Sequence, residues 1–184
     1  MRRTKLDNWI ETIEALPELT REGLEALQLK RLNETLARVR ARGGFYRDYP
    51  EKLEDLEQLQ TLPFTTAADL AAFPNKFLLT SQSEVSRVIS GATSGTTGPA
   101  KRVFYTERDT EHTVGFFAAG ISEMLSAGEK CLIAFPFTGP FGLGDLIARA
   151  VERLGAVPVR AGFGGSWGEL GQLVRETGPE TYIG

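Results

Sequence analysis

The stretch Thr93-Ser94-Gly95-Thr96-Thr97-Gly98-Pro99-Ala100-Lys101 places four hydroxyls, two glycines and a lysine within nine residues. Glycines let a backbone take positive φ and come close to a ligand, and a run of backbone N–H groups and hydroxyls forms a concavity that suits an anion. A lysine adds a point charge favoured by phosphate oxygens. On both sides stand short runs rich in β-branched and aromatic residues, Val85-Ser86-Arg87-Val88-Ile89-Ser90 before and Arg102-Val103-Phe104-Tyr105-Thr106 after. Both read as strands, so the arrangement is strand–loop–strand. A Walker A loop is excluded, because it needs a Gly-Lys pair leading directly into a helix, and here Gly98 is followed by Pro99.

Beyond the loop, helix and strand patterns alternate. Thr106-Glu107-Arg108-Asp109 reads as a capping box opening a helix to about Ala127, with Phe116, Phe117, Ile121, Met124 and Leu125 turned inward and Gly128 as its stop. Cys131-Leu132-Ile133-Ala134-Phe135 is a continuous apolar run, the pattern of a strand buried on both faces. Gly142 to Leu154 is helical, with Leu143, Ile147, Ala150, Val151 and Leu154 in register. Val157-Pro158-Val159-Arg160 is a short strand, and Pro158 suits an edge or end position. Ser166 caps a helix with Trp167, Leu170, Leu173 and Val174 on one face, ended by Gly178-Pro179. Thr181-Tyr182-Ile183 begins another strand. Strand–helix–strand–helix–strand implies a parallel sheet.

The first part of the chain is helical. Leu6, Trp9, Ile10, Ile13 and Leu16 fall at helical spacing before Pro17. Thr20 is the N-cap of a longer helix that reaches about Arg42, where Gly43-Gly44 stops it. Its Arg31, Arg38, Arg40 and Arg42 read as a solvated face. The aromatic group Phe45, Tyr46 and Tyr49 reads as a packing plug. Leu53, Leu56 and Leu59 indicate a short helix ending near Leu62-Pro63, and Thr66-Ala67-Ala68-Asp69 is a capping box for another running through Phe73. The expected fold is therefore α/β: a helical leader over 1–80, then over 81–184 a partial, mainly parallel sheet with flanking helices and the strand–loop–strand element.

Composition narrows the function. The 184 residues carry a net charge of −3 and a pI of about 5.4. No basic face points to nucleic acid. The single cysteine, Cys131, cannot form an internal disulfide, which fits a reducing cytoplasm and excludes a Cys-rich metal site. No apolar run is long enough to span a bilayer, and no apolar stretch follows the basic Met1-Arg2-Arg3-Thr4-Lys5 to make a signal peptide. His112, the only histidine, falls near the start of a helix with no Ser or Cys partner placed for a triad, and reads as exposed.

Thr-Ser-Gly-Thr-Thr-Gly followed by a lysine resembles the phosphate-binding signature of the adenylate-forming superfamily, which includes acyl-CoA synthetases, luciferases and peptide-synthetase adenylation domains. The run on to Tyr105-Thr106 is most similar to its phenylacetate–CoA ligase branch, although Pro99 falls one place earlier than the family proline and Ala100 stands in that place. Leu62-Pro63-Phe64-Thr65-Thr66 is similar to the phrase that closes the family's helical leader. Phe137-Thr138-Gly139 with Gly142 and Gly144 resembles its glycine-rich turn after the corresponding strand.

The resemblance implies an N-terminal portion of an enzyme that activates a carboxylic acid with ATP to an acyl-adenylate and passes it to CoA. It assigns Thr93, Ser94, Gly95, Thr96, Thr97, Gly98 and Lys101 to the phosphates, Lys101 also to catalysis through the charge of departing pyrophosphate. Mg²⁺ would share that task. Phe135, Phe137 and Phe141 would line an aryl-acid pocket. No residue here is assigned to a metal, and the family's adenine contacts, acidic Mg²⁺ partner and adenylation lysine are expected beyond this stretch. The expectation is thus a chain that is inactive alone and whose partner is a second copy of itself or a complementing C-terminal chain that could restore activity. Two other readings stay open: a phosphate- or ATP-binding module without adenylation, and a non-catalytic subunit that pairs through its unfinished sheet.

Overall fold

The structure, a computed structural model, describes residues 3–91, 101–137, 142–162 and 165–184. The chain gathers into two compact units, one built from residues 1–17 with 109–184 and the other from 18–108.

In the second of these units the first long helix is α2 (Arg21–Arg42), capped by the Thr20 hydroxyl, which accepts from the Gly23 N–H. Leu36 and Val39 are its buried positions, and Leu53 joins them at 3% exposure. The four arginines named above are exposed, as a solvated face requires. Phe45, Tyr46, Tyr49 and Phe77 form the plug, with Phe45 stacked on Phe77 at 4.4 Å between centroids and Tyr46 edge-on to Tyr49 at 4.9 Å. Its hydroxyls are satisfied: Tyr49 donates to Pro63 O at 2.6 Å, and Tyr46 shares a hydrogen with Thr65 at 2.7 Å.

Leu56 and Leu59 do not make an α-helix. Residues Glu57–Thr61 form a 3₁₀ turn, because Asp55 accepts from the Gln58 N–H and Pro63 limits the run. Thr66 and Asp69 make the anticipated capping box for α3 (Ala67–Ala72). Strands β1 (Val85–Gly91) and β2 (Lys101–Thr106) pair antiparallel.

The other unit holds α1 (Lys5–Glu14), α4 (Glu107–Ile121, from Asp109 onward), β3 (Lys130–Ile133), α5 (Leu143–Arg153), β4 (Val157–Arg160), α6 (Trp167–Thr177) and β5 (Thr181–Ile183). The sheet order is β4-β3-β5, parallel throughout. The central place belongs to β3, whose Cys131, Leu132 and Ile133 are all at 0% exposure, which is why its sequence is apolar without alternation. Burying each large side chain of this kind stabilises by about 1.5–3 kcal/mol. Pro158 sits on the edge strand, as expected. Trp9 of α1 lies against α4, where Gly115 leaves room: a Cβ there would be 3.1 Å from Trp9 Nε1.

Three expected apolar faces are corrected by this packing. On α4 the buried positions are Thr110, Val114, Gly115, Ala118, Ala119 and Ile121; of the expected inward residues Ile121 and Leu125 are buried, while Phe116 is 46% and Met124 59% exposed. Val114, Ala118 and Ile121 share one core with Cys131 and Ile133 of β3, and Phe116, two residues from Val114, is carried round to the far side. The helix also ends at Ile121, where bonds such as Met124 N–H to Ile121 O at 3.0 Å tighten the chain. On α5 Leu143 is exposed, and Leu146, Ile147, Ala150 and Val151 face inward. On α6, capped by Ser166 and Glu169 as expected, Trp167 and Val174 are exposed. Only Leu170 and Leu173 of the anticipated face are half-buried. Among the described residues no helix is long and apolar enough to cross a membrane.

Candidate functional site

The hairpin β1–β2 frames the glycine- and hydroxyl-rich loop. Its register runs Val88↔Phe104, Ile89↔Val103, Ser90↔Arg102 and Gly91↔Lys101, so the ladder closes on the pair Gly91–Lys101 and residues 92–100 join its two ends. A register shift between Val85 and Arg87 turns Ser86 to donate to Tyr105 O at 3.1 Å, and Arg87 lies over the Tyr105 ring at 5.6 Å. Thr93, Ser94, Gly95, Thr96, Thr97 and Gly98 lie outside the described residues. Lys101 is the first residue of β2.

The second location is the carboxyl end of β3. Open parallel sheets bind ligands there, beyond the strand ends. Phe135 and Phe137 follow β3 and pack as half-buried residues against the core that contains Val114, Ile133 and Ile147. Phe141 lies outside the described residues. The Gly144 N–H donates to Pro136 O at 3.2 Å and ties the start of α5 to the turn. A Cβ on Gly144 would stand 3.0 Å from Phe135 O and 3.0 Å from Cε1 and Cζ of Phe137, so a side chain there would press on both by a few tenths of an ångström.

Two charged residues here have no signature in the sequence. Arg160, the last residue of β4, donates from Nη1 to Asp145 Oδ1 at 2.8 Å and lies over the Phe137 ring at 5.1 Å. Asp145 sits in the first turn of α5. An acidic residue there is common simply because it complements the helix dipole, so nothing local marks it as half of a long-range pair.

Two open grooves lie elsewhere. One of about 350 Å³ is lined by residues of α4 and β5, among them Phe116, Met124 and Tyr182. Another of about 620 Å³ is lined by Glu25, Glu54, Asp55 and Glu57 among others, and that acidic wall disfavours phosphate. Neither includes a residue singled out by the sequence for chemistry. His112 is exposed and rests on Trp9 with centroids 5.0 Å apart, a packing contact.

No family model matches the chain, and no curated protein does. Solved structures do. The chain is similar to 2-hydroxyisobutyryl-CoA ligase in an open conformation in complex with 2-HIB-AMP and CoA, with a TM-score of 0.73 and 21% identity over 90% of this chain and 41% of that one. It is similar to the same ligase in the thioesterification state with 2-HIB-AMP and CoA, at TM-score 0.69 and 24% identity over 86% of this chain and 35% of that one. A third likeness is to its postadenylation state with R3-HIB-AMP, at TM-score 0.72 and 21% identity over 90% of this chain and 37% of that one. These likenesses establish the fold: the chain has the mixed α/β fold of part of an adenylate-forming acid–CoA ligase, and spans about two fifths of the length of such a chain.

Proposed function

We propose that this chain supplies the phosphate-binding hairpin and part of the acid pocket of an AMP-forming acid–CoA ligase. The observation that carries the reading is the coincidence of motif and place. In the sequence Thr93–Gly98 stands between β1 and β2, with Lys101 first in β2, in a chain whose fold is shared with a ligase whose structures hold 2-HIB-AMP and CoA.

In the proposed reaction a carboxylate oxygen of the acid attacks the α-phosphorus of ATP, the bond to the bridging oxygen breaks, and pyrophosphate leaves. The CoA thiolate then attacks the acyl carbon and AMP departs. For the first step the protein positions groups and offsets charge. Thr93, Ser94, Thr96 and Thr97 donate hydroxyls, Gly95 and Gly98 offer backbone N–H groups to the β- and γ-phosphates, and Lys101 neutralises charge on the departing pyrophosphate. The metal enters as Mg·ATP, the substrate; among the described residues no three His, Cys, Asp or Glu side chains gather to hold an ion themselves. Phe135, Phe137 and Phe141 bound the acid. The run to Tyr105-Thr106 favours the phenylacetate–CoA ligase branch, and the lone buried thiol of Cys131 favours the cytoplasm.

The test is titration of the purified chain with Mg·ATP and with pyrophosphate, beside a Thr96→Ala/Thr97→Ala/Lys101→Ala variant. Binding by the parent and a loss of roughly 1–3 kcal/mol in the variant is the expected result for removing charge-assisted hydrogen bonds. Equal binding by both proteins, or by neither, overturns the assignment of the loop. Binding without acyl-AMP from any acid, both alone and with a complementing second chain, would leave an ATP-binding module in place of a ligase.

A further inference from the structure

The ring of Phe137 is occupied from three directions. Its inner side packs against the core. Its Cε1–Cζ edge lies against the backbone of Gly144, where even a Cβ would come within 3.0 Å. The Arg160 guanidinium stands over it at 5.1 Å from the centroid. That is the separation at which an aromatic ligand would stack, since paired rings sit at about 4.5–7 Å.

Arg160 is not loosely placed. Its Nη1 donates to Asp145 Oδ1 at 2.8 Å, and the Asp145 side chain is only 17% exposed against 48% for Arg160. Asp145 Oδ2 is buried with no hydrogen-bond partner among the described residues. Moving the guanidinium away would take this hydrogen bond from a half-buried carboxylate and leave it only the N-terminus of α5 as support. The planar guanidinium satisfies the carboxylate and the ring face at once, which a lysine ammonium does not.

We propose that Asp145 and Arg160 are selectivity residues which close the face of Phe137, so that this end of the sheet rejects an aromatic acid that would stack there. Asp145 acts through Arg160 and is a positioning residue. The proposal rests on the reading of Phe137 as a wall of the acid pocket, and it sets aside the aryl acid that the phenylacetate branch implies.

The experiment has two readouts on the full 184-residue chain. The first is the NMR resonance of Arg160 Nε–Hε, which the ring current of Phe137 shifts upfield. Phe137→Leu abolishes the shift and Asp145→Asn removes most of it. The second is titration with isobutyrate and with phenylacetate in the presence of Mg·ATP. Isobutyrate binds at least about tenfold better to the parent, and Arg160→Ala moves the ratio toward phenylacetate by about tenfold or more. Because Arg160→Ala takes a hydrogen bond from a half-buried carboxylate, the double variant Asp145→Asn/Arg160→Gln, without either charge, must show the same change. An unshifted Arg160 resonance overturns the proposal, as does a parent that binds phenylacetate as well as isobutyrate with the shift intact. Binding of neither acid with the shift intact sinks the acid-pocket reading and this proposal with it, while the phosphate titration still judges the loop.

Discussion

The Asn33 side chain makes both hydrogen bonds open to the backbone of Leu53: its Nδ2 donates to Leu53 O at 2.9 Å, and its Oδ1 accepts from the Leu53 N–H at 2.9 Å. The amide thus completes, for one residue of an irregular segment, what a neighbouring strand would provide, and lets Leu53 bury at 3% exposure beside Leu36 and Val39. Asn33→Ala leaves a half-buried donor and acceptor unpaired. We expect a loss of about 1–3 kcal/mol in urea unfolding with an unchanged slope. A loss below about 0.5 kcal/mol would show that water replaces the amide at little cost.

Gly44 and Gly120 respond oppositely to alanine. Gly44 has φ +99°, and a Cβ would stand 2.6 Å from Lys76 O, the same oxygen that accepts from the Phe45 N–H at 2.9 Å. Gly44→Ala is expected to cost more than about 1 kcal/mol, through both strain and the lost contact. Gly120 lies in α4 with nothing within 4 Å of a Cβ, so Gly120→Ala is expected to stabilise by about 0.5–1 kcal/mol. Thermal unfolding of the two variants checks the pair, and a shared sign would contradict the backbone geometry.

Four capping carboxylates respond to acid in the same direction. Hydrogen bonds hold all four below the usual carboxylate range: those of the Thr4 and Ser166 backbone N–H groups chiefly for Asp7 and Glu169, and those of the Thr66 and Thr80 hydroxyls chiefly for Asp69 and Glu84. A depressed folded value means that the stability from each cap is present above the unfolded value, about 3.9–4.3, and is lost as pH falls through the folded value. Carboxyl ¹³C titration is expected to give midpoints below these reference values, with stability level above about pH 5 and falling below about pH 4. Ordinary midpoints would remove the caps from the acid response.

Cys131 is at 0% exposure, and burial pushes its thiol upward. A thiol that is both covered and protonated should not react with a disulfide reagent at pH 8 while the sheet is intact. Its labelling rate is expected to follow opening of the fold and to rise with urea. Rapid labelling without urea would mean that β3 opens readily.

Much of the framework was legible because it is local. Thr20 and Gly43 bracket α2, Thr66 meets Asp69 and Ser166 meets Glu169 within one helical turn. The apolar run at Cys131 marks the middle strand by composition alone. The hairpin, too, could be read from its two β-rich flanks. For the candidate site, the chain exposed the glycine- and hydroxyl-rich run between β1 and β2 and the aromatic residues after β3, but not what holds Phe137.

By itself the sequence determined the capped helix starts at Thr20, Thr66 and Ser166 and which strand lies centrally, since capping and apolar runs act within a few residues of the chain; the end of α4 at Ile121 it did not. Only the tertiary structure decided which helix faces turn inward and which distant groups meet. Phe116 and Trp167 stand at the surface although both are large and apolar, because the face a helix buries is set by the elements packed against it. Asp145 and Arg160, fifteen residues apart, meet because the strand end and the helix start are brought side by side, and no local pattern encodes a meeting that depends on how the elements pack.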